Sequence, residues 1–402
     1  MSSPAMNMIA RERIRAAIPM RELERRWAAV RKGMKAAGID VLVMQNDNQW
    51  LGGYVRYFMD NPAEFSYPTT VIFPLNDEMT VINHGAPDKP LAPPEWYARG
   101  IKSRLAQPYF RNVYYTNPMD AEETVKLFKA RGDKRVGIVG LGTMSAAYYL
   151  YLKENLPGVE LVEVSDMVDR IKAEKSADEL VFVRKAAETQ DMACAAMPTM
   201  IRPGKWEYQL RGEIMRMLMD LGSEQQLIRL RSVPAGQPAA TTGPFYQNRQ
   251  MQWGDQIIVL IETNGPGGFY AEICRTWFLG DPPQELLKVW DLAAAAQKLG
   301  ASVAKPGAHP GDILKQSNEF MISRGMPPEG RLNAHGQGYD LVERPLCLAD
   351  EPMLLEADMV LAIHPAATTA TAYAMCCDDY LITANGAERL HKTPQQVGVI
   401  SC

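Results

Sequence analysis

The chain has 402 residues, 47% of them apolar and 22% charged, enough to build two or three domains with buried cores and too apolar for a disordered chain. With 43 Lys and Arg against 47 Asp and Glu the net charge is −4, which argues against a general nucleic-acid binder. Six cysteines are too few for a disulfide scaffold, and none shows the Cys-x-x-Cys spacing of a zinc ribbon.

Residues 1–20 are arginine-rich and read as an arm. No apolar block follows Arg11, Arg13 and Arg15, so they do not form a secretory signal. No apolar run is long enough to span a membrane, and the expected location is cytoplasmic. Arg21 to Lys35 has the period of an amphipathic helix stopped by Gly38. Strands are expected at Val41–Met44, Thr69–Phe73, Met79–Ile82, Val136–Val139 and Leu161–Val164, with a helix from Ser145 to Leu156. This alternation describes an α/β domain over residues 21–168. The run Val139-Gly-Leu-Gly-Thr-Met-Ser145 lacks the third glycine of a dinucleotide loop and reads as a tight strand-to-helix turn.

A second domain spans residues 169–402. Ser176, with Glu179 three residues on, is the signature of a capping box, and a long helix should follow to about Met200. A faint repeat then appears. A helix pair broken by Pro203-Gly204 and followed by Gly254-Asp255 and a strand recurs as a pair broken by Pro306-Gly307 and followed by Ala357-Asp358 and a strand. Helix pairs followed by strands, twice, predict a pseudo-twofold α+β domain with a shared sheet and a cleft on its axis.

Polar residues interrupt the apolar strands. Ile257–Ile261 runs into Glu262, and Glu272 follows what looks like a hairpin that would bring the two carboxylates together. Met359–Ile363 runs into His364. Cys377, Asp378 and Asp379 precede Leu381-Ile-Thr383, and His335-Gly-Gln-Gly338 lies between the two repeats. Such groups in sheet strands are costly unless they pair, share protons or bind a cation.

These motifs resemble the pita-bread superfamily of methionine aminopeptidase, aminopeptidase P, prolidase and creatinase. The resemblance rests on Arg170 through Ala187, Gly254-Asp255, Glu272 through Thr276, His335 through Gly338, Glu343-Arg-Pro345, Met359 through Pro365 and Leu381-Ile-Thr383, in the family's order. It implies a C-terminal pita-bread domain preceded by a smaller α/β domain like the N-terminal one of creatinase. The family's peptidases hold two metals with Asp, Asp, His, Glu and Glu. The matching positions here are Glu262, Glu272, His335, His364 and Cys377 or its neighbour Asp378, and the peptidases' second histidine is replaced by Val342.

The resemblance therefore points to a creatinase-like hydrolase cleaving an amide or amidine C–N bond in a small non-peptide metabolite without a metal. Glu262 and Glu272 would share one proton, and His335 or His364 would act as base. The alternatives are one zinc or iron ion on the same residues, serving a lyase or a peptidase, and an inactive binding protein on the same fold. Creatinase's histidine loop corresponds to Ser232–Tyr246, which contains no histidine, so creatine itself is not the expected substrate. That loop offers Gln237, Thr242 and Tyr246 for substrate contacts, and Arg344 joins them from the Glu-Arg-Pro motif. By resemblance, a homodimer would bring Phe65 and Tyr67 to the partner's pocket.

Overall fold

The computed structural model describes residues 16–48, 50–62, 67–87, 98–108 and 119–401. Contacts divide the chain into two units between Lys172 and Ala173. Most of the expected N-terminal arm lies outside the described residues.

The unit before the division is a six-stranded mixed sheet. Helix α1 (Met20–Ala37) buries Leu23, Trp27, Val30 and Met34, the one-sided stripe its sequence dictates, and ends where Gly38 turns left-handed at φ 65°. Then come β1 (Val41–Asn46), α2 (Gly53–Met59), β2 (Thr69–Pro74), β3 (Met79–His84), β4 (Ile101–Gln107), α3 (Met119–Arg131), β5 (Arg135–Val139), α4 (Ala146–Asn155), β6 (Glu160–Glu163) and α5 (Ser165–Ala173). The sheet order is β4-β3-β2-β1-β5-β6. Val41, Val43, Ile72, Val136 and Ile138 bury one face against Phe128 of α3 and Leu152 of α4. The turn after Val139 is closed by the Thr143 and Met144 amides on the Gly140 carbonyl, as a tight turn should be. The Tyr67 ring packs against His84 at a tilt of 59°, centroids 4.7 Å apart, within this unit. Phe65 lies outside the described residues.

The second unit opens with α6 (Ala177–Met200). The Ser176 hydroxyl accepts the Glu179 amide, and the Glu179 carboxylate accepts the Ser176 amide, which completes the capping box. Helix α7 (Glu207–Asp220) follows, then an antiparallel meander of β7 (Gln226–Pro234), β8 (Asp255–Asn264) and β9 (Tyr270–Leu279). Helices α8 (Gln284–Val303) and α9 (Gly311–Ser323) lead to β10 (Ala334–Gly336), β11 (Glu343–Leu346), β12 (Val360–Ile363), β13 (Ala366–Thr368), β14 (Tyr373–Met375), β15 (Asp378–Thr383), β16 (Gly386–Arg389) and β17 (Gly398–Ile400).

The predicted helix-pair-then-strands repeat is present, but the shared sheet is not one continuous ladder. The order β17-β9-β8-β7 forms one sheet and β11-β10-β12-β15-β16 another. An isolated bridge joins them, where the Cys274 amide donates to the Cys377 carbonyl at 3.2 Å, and the Tyr270 amide of β9 donates to the Gly338 carbonyl just after β10 at 2.7 Å. Each sheet buries its alternate residues under helices. Ile257, Val259, Ile261 and Ile273 pack with Ile214 and Leu218 of α7. Ala334, Leu361, Ile363, Tyr380 and Ile382 pack with Ala301 and Ile313. The remaining faces of the two sheets carry the polar residues. Among the described residues no helix is long and apolar enough to cross a membrane.

Candidate active site

The strand period of two decides which side chains reach the site. On β8 and β9, Glu262 and Glu272 are direct cross-strand partners, so the hairpin does bring the two carboxyls onto one face. On the second sheet the β10–β12 ladder pairs His335 with Ala362, and the His364 amide on the Asn333 carbonyl extends it by one residue. The β12–β15 ladder pairs Ala362 with Asp379. One face of this sheet therefore holds Asn333, His335 and Gln337, then His364, then Cys377 and Asp379. The other face holds the Ala334, Leu361 and Ile363 core.

Glu272, His335 and His364 form the centre. All three are buried, and one ligand atom from each lies within 4.8 Å of the others. The two imidazole rings are 5.2 Å apart, centre to centre. His335 Nδ1 lies 2.9 Å from the Gly336 carbonyl, a pure acceptor, so Nδ1 carries the proton and Nε2 presents a lone pair. That Nε2 lies 3.5 Å from Glu272 Oε2, which has no hydrogen-bond partner among the described residues. Two bare acceptors this close require a proton or a cation between them. The other carboxylate oxygen, Oε1, accepts from the Cys377 thiol at 3.3 Å.

The carboxyl pair separates into two protonation states. Burial, and then the charge of Glu272, push the Glu262 carboxyl up to about 8. Burial acts the same way on Glu272, but His364, His335 and the Cys377 hydrogen bond outweigh it and hold that carboxyl well below the usual range. At neutral pH Glu262 thus keeps a proton that Glu272 has lost. Burial also lowers His364 to about 4, so its ring is neutral there. The thiol of Cys377 is pushed far up by burial and by Glu272, which makes it a hydrogen-bond donor rather than a nucleophile.

Of two adjacent aspartates, the one expected at the centre, Asp378, turns away from it, and Asp379, for which no role was expected, turns toward it. Asp378 faces the core. Its carboxylate is held by Arg275 Nη2 at 2.6 Å, Gln297 at 3.1 Å and Gln395 at 2.9 Å, so it is not part of the centre. The reason is register: with Cys377 on the site face, the next residue must point the opposite way. Asp379 points back toward the site. Its Oδ1 accepts the Glu272 amide at 3.2 Å, its Oδ2 has no partner among the described residues, and burial followed by Glu272 raises it well above the usual range. Its signal in the sequence was its i+2 spacing from Cys377. Behind it, His391 Nδ1 accepts the Asp379 amide at 3.1 Å, and His391 Nε2 lies 3.0 Å from Gln190 Oε1, which fixes the tautomer.

The expected substrate-contact residues are not gathered with this group. The Thr242 hydroxyl donates to the Leu230 carbonyl at 3.0 Å. Gln237 is exposed and Tyr246 is 74% exposed. Arg344 is engaged by Glu351 through Nε at 3.1 Å and Nη2 at 2.5 Å. Gly336 and Gly338 alternate with the site-facing residues of β10. A Cβ at 336 would strike the backbone carbonyl of Arg344, and one at 338 would strike the Glu343 carboxylate, itself held by Lys175 Nζ at 3.2 Å and the Asp340 amide at 3.1 Å.

Residues 182–384, half of the chain, match metallopeptidase family M24. Ectoine hydrolase of Halomonas elongata is 25% identical over 407 aligned positions, 92% of this chain and 95% of that one. "Probable dipeptidase PepE" of Mycobacterium tuberculosis is 25% identical over 262, covering 64% and 68%. Among solved structures, dipeptidase PepE from Mycobacterium ulcerans superposes with a TM-score of 0.77 at 22% identity, over 96% of this chain and all of that one, which shows the shared pita-bread fold. With that fold, that motif order and half its length inside the family's bounds, the chain belongs to metallopeptidase family M24 and is a hydrolase acting on C–N bonds.

Proposed function

We propose that the protein hydrolyses an amide- or amidine-type C–N bond in a small non-peptide metabolite, at a centre built for one metal ion rather than two. One observation carries this reading. At the positions where the family's peptidases hold two metals, the side chains form one compact group, Glu272, His335 and His364, while Glu262 keeps its proton. Bridging two metals needs ionised carboxylates. Here His364 and Cys377 stand where two of them would be, and the thiol stays protonated. The similarity to ectoine hydrolase along nearly the whole chain supports a non-peptide substrate.

The donor set fits a single zinc or iron ion. Two imidazoles and one carboxylate are a familiar catalytic combination, and a cation held between His335 Nε2 and Glu272 Oε2 takes the place of the proton that this close contact otherwise requires. The metal-free centre expected from the sequence gives way to this reading. When bound, the ion supplies Lewis acidity to the scissile group.

The protein's own residues do the rest. Glu272, ionised, its carboxylate aligned by the Cys377 thiol and its backbone amide donating to the Asp379 carboxylate, is the acceptor toward which a water proton is drawn. Glu262, protonated up to about pH 8, is the donor placed to protonate the leaving nitrogen. The His335 Nδ1 bond to Gly336 keeps the ring from turning away.

The test combines metal analysis with a substrate panel of ectoine, creatine, N-acetyl amino acids and Xaa-Pro dipeptides. One metal equivalent per chain, activity lost to chelator, and turnover confined to the non-peptides is the expected result. Two equivalents with dipeptide hydrolysis, or full activity in chelator, would overturn it.

A further inference from the structure

Most buried polar atoms on the site face of the second sheet have assignments, but two whole side chains do not. Asn333 is fully buried and Gln337 is 1% exposed. Both heteroatoms of each carboxamide, Nδ2 and Oδ1 of Asn333 and Nε2 and Oε1 of Gln337, lack any hydrogen-bond partner among the described residues. The backbones are not at fault. The Asn333 carbonyl accepts the His364 amide at 2.8 Å, and the Gln337 amide donates to the Val360 carbonyl at 2.9 Å. These bonds continue the β10–β12 ladder at both ends, so Asn333, His335 and Gln337 alternate onto one face.

Asn333 lies directly across from His364. Gln337 lies one step beyond His335, opposite Val360. Their Cα atoms are about 13 Å apart by strand geometry, with the metal-binding group between them.

The geometry points to Asn333 and Gln337 as the residues that read the substrate, one on each side of the scissile bond. This rests on the hydrolase reading above and deepens it. A carboxamide offers a donor and an acceptor in one plane, so the group it recognises is planar and carries both complements, such as an amide or amidine, or accepts from the NH₂ alone, as a carboxylate does. The substrate class is therefore a small molecule with a planar polar group at each end, too short to be a polypeptide. Leaving four amide atoms unpaired in the interior is unfavourable for folding, and a ligand that pairs them accounts for their retention.

The pair is tested with Asn333→Leu and Gln337→Met, near-isosteric changes that remove the polar atoms, in the full chain loaded with its metal. Melting temperature is the first readout. If the amides wait for a ligand, both variants melt at or above the wild-type temperature. A fall of more than about 5 °C in both would show that they are structurally bonded, and would overturn the proposal. Kinetics on the substrate found by the panel is the second. KM is expected to rise at least tenfold, roughly, with kcat within about threefold; an unchanged KM also overturns it. Should the panel return dipeptide hydrolysis with two metals, the non-peptide, single-metal reading falls, and the melting comparison still decides whether the pair is ligand-directed.

Discussion

The two faces of β10, β12 and β15 are equally buried and chemically opposite. On the core face, Asp378 is an ionised carboxylate with every requirement met. Burial works against its charge, but Arg275, His391 and Gln395 hold it below the usual range. On the site face, one residue along the same strand, Asp379 leaves an oxygen without a partner among the described residues, as Asn333 and Gln337 leave their amide atoms, and across the site on β8 and β9 Glu262 and Glu272 each leave one oxygen likewise. Satisfied polar groups in a core serve the fold. Unsatisfied ones at the same depth cost stability and mark where a ligand completes the structure. Arg275 and Glu272, three residues apart on β9, divide along the same line.

That contrast is most sharply tested at Glu272. Glu272→Gln is expected to lower kcat/KM by roughly 10²–10⁴-fold and abolish stoichiometric metal binding while leaving the melting temperature within a few degrees. Unfolding of the variant would place Glu272 among the structural groups. The converse applies to Asp378→Ala, which strands Arg275 in the interior and should cost about 3–5 kcal/mol of unfolding free energy by denaturant titration. A small loss there would break the distinction from the other side.

pH gives a subtler probe. Glu262 binds its proton more tightly in the folded state, at about 8, than its ordinary 4.5. Between those values the unfolded chain has lost a proton that the native one retains. Its contribution to stability is therefore full below pH 4.5 and declines as pH rises toward 8. His364 acts oppositely: lowered from 6.5 to about 4, it makes stability increase with pH across that interval. Subtracting a Glu262→Gln stability profile from wild type should isolate the first decline, and the variant should lose the alkaline limb of kcat near pH 8. The smallest effect is expected at Cys377. Cys377→Ser keeps a donor for Glu272 Oε1 and should hold kcat/KM within about tenfold, whereas Cys377→Ala should raise the acidic limb of the pH–rate profile by removing that bond.

Much of this was legible before any coordinates. The Glu262–Glu272 hairpin, His335, His364 and the Ser176 cap follow from motif order and strand spacing, and all four lie where those spacings put them. The face of Asp378 was not legible, because motif alignment counts residues and only the ladder register assigns sides. Asn333 and Gln337 are the i±2 neighbours of His335, but neither stood out in the sequence, because nothing in a sequence reveals that an amide lacks a partner. In the first unit, β4 (Ile101–Gln107) escaped notice because it is a half-exposed edge strand with little apolar alternation, and α2 (Gly53–Met59) is too short and too buried to show a helical period.

The glycines at 336 and 338 carry a consequence for how this enzyme can change. Neither will tolerate a side chain, since one is pressed by a neighbouring strand's main chain and the other by a carboxylate clamped between a lysine and an amide. Divergence along this strand is thus channelled to alternate positions. A laboratory seeking new selectivity would randomise 333 and 337 together, and a lineage drifting toward a different metabolite would record its history at those two sites.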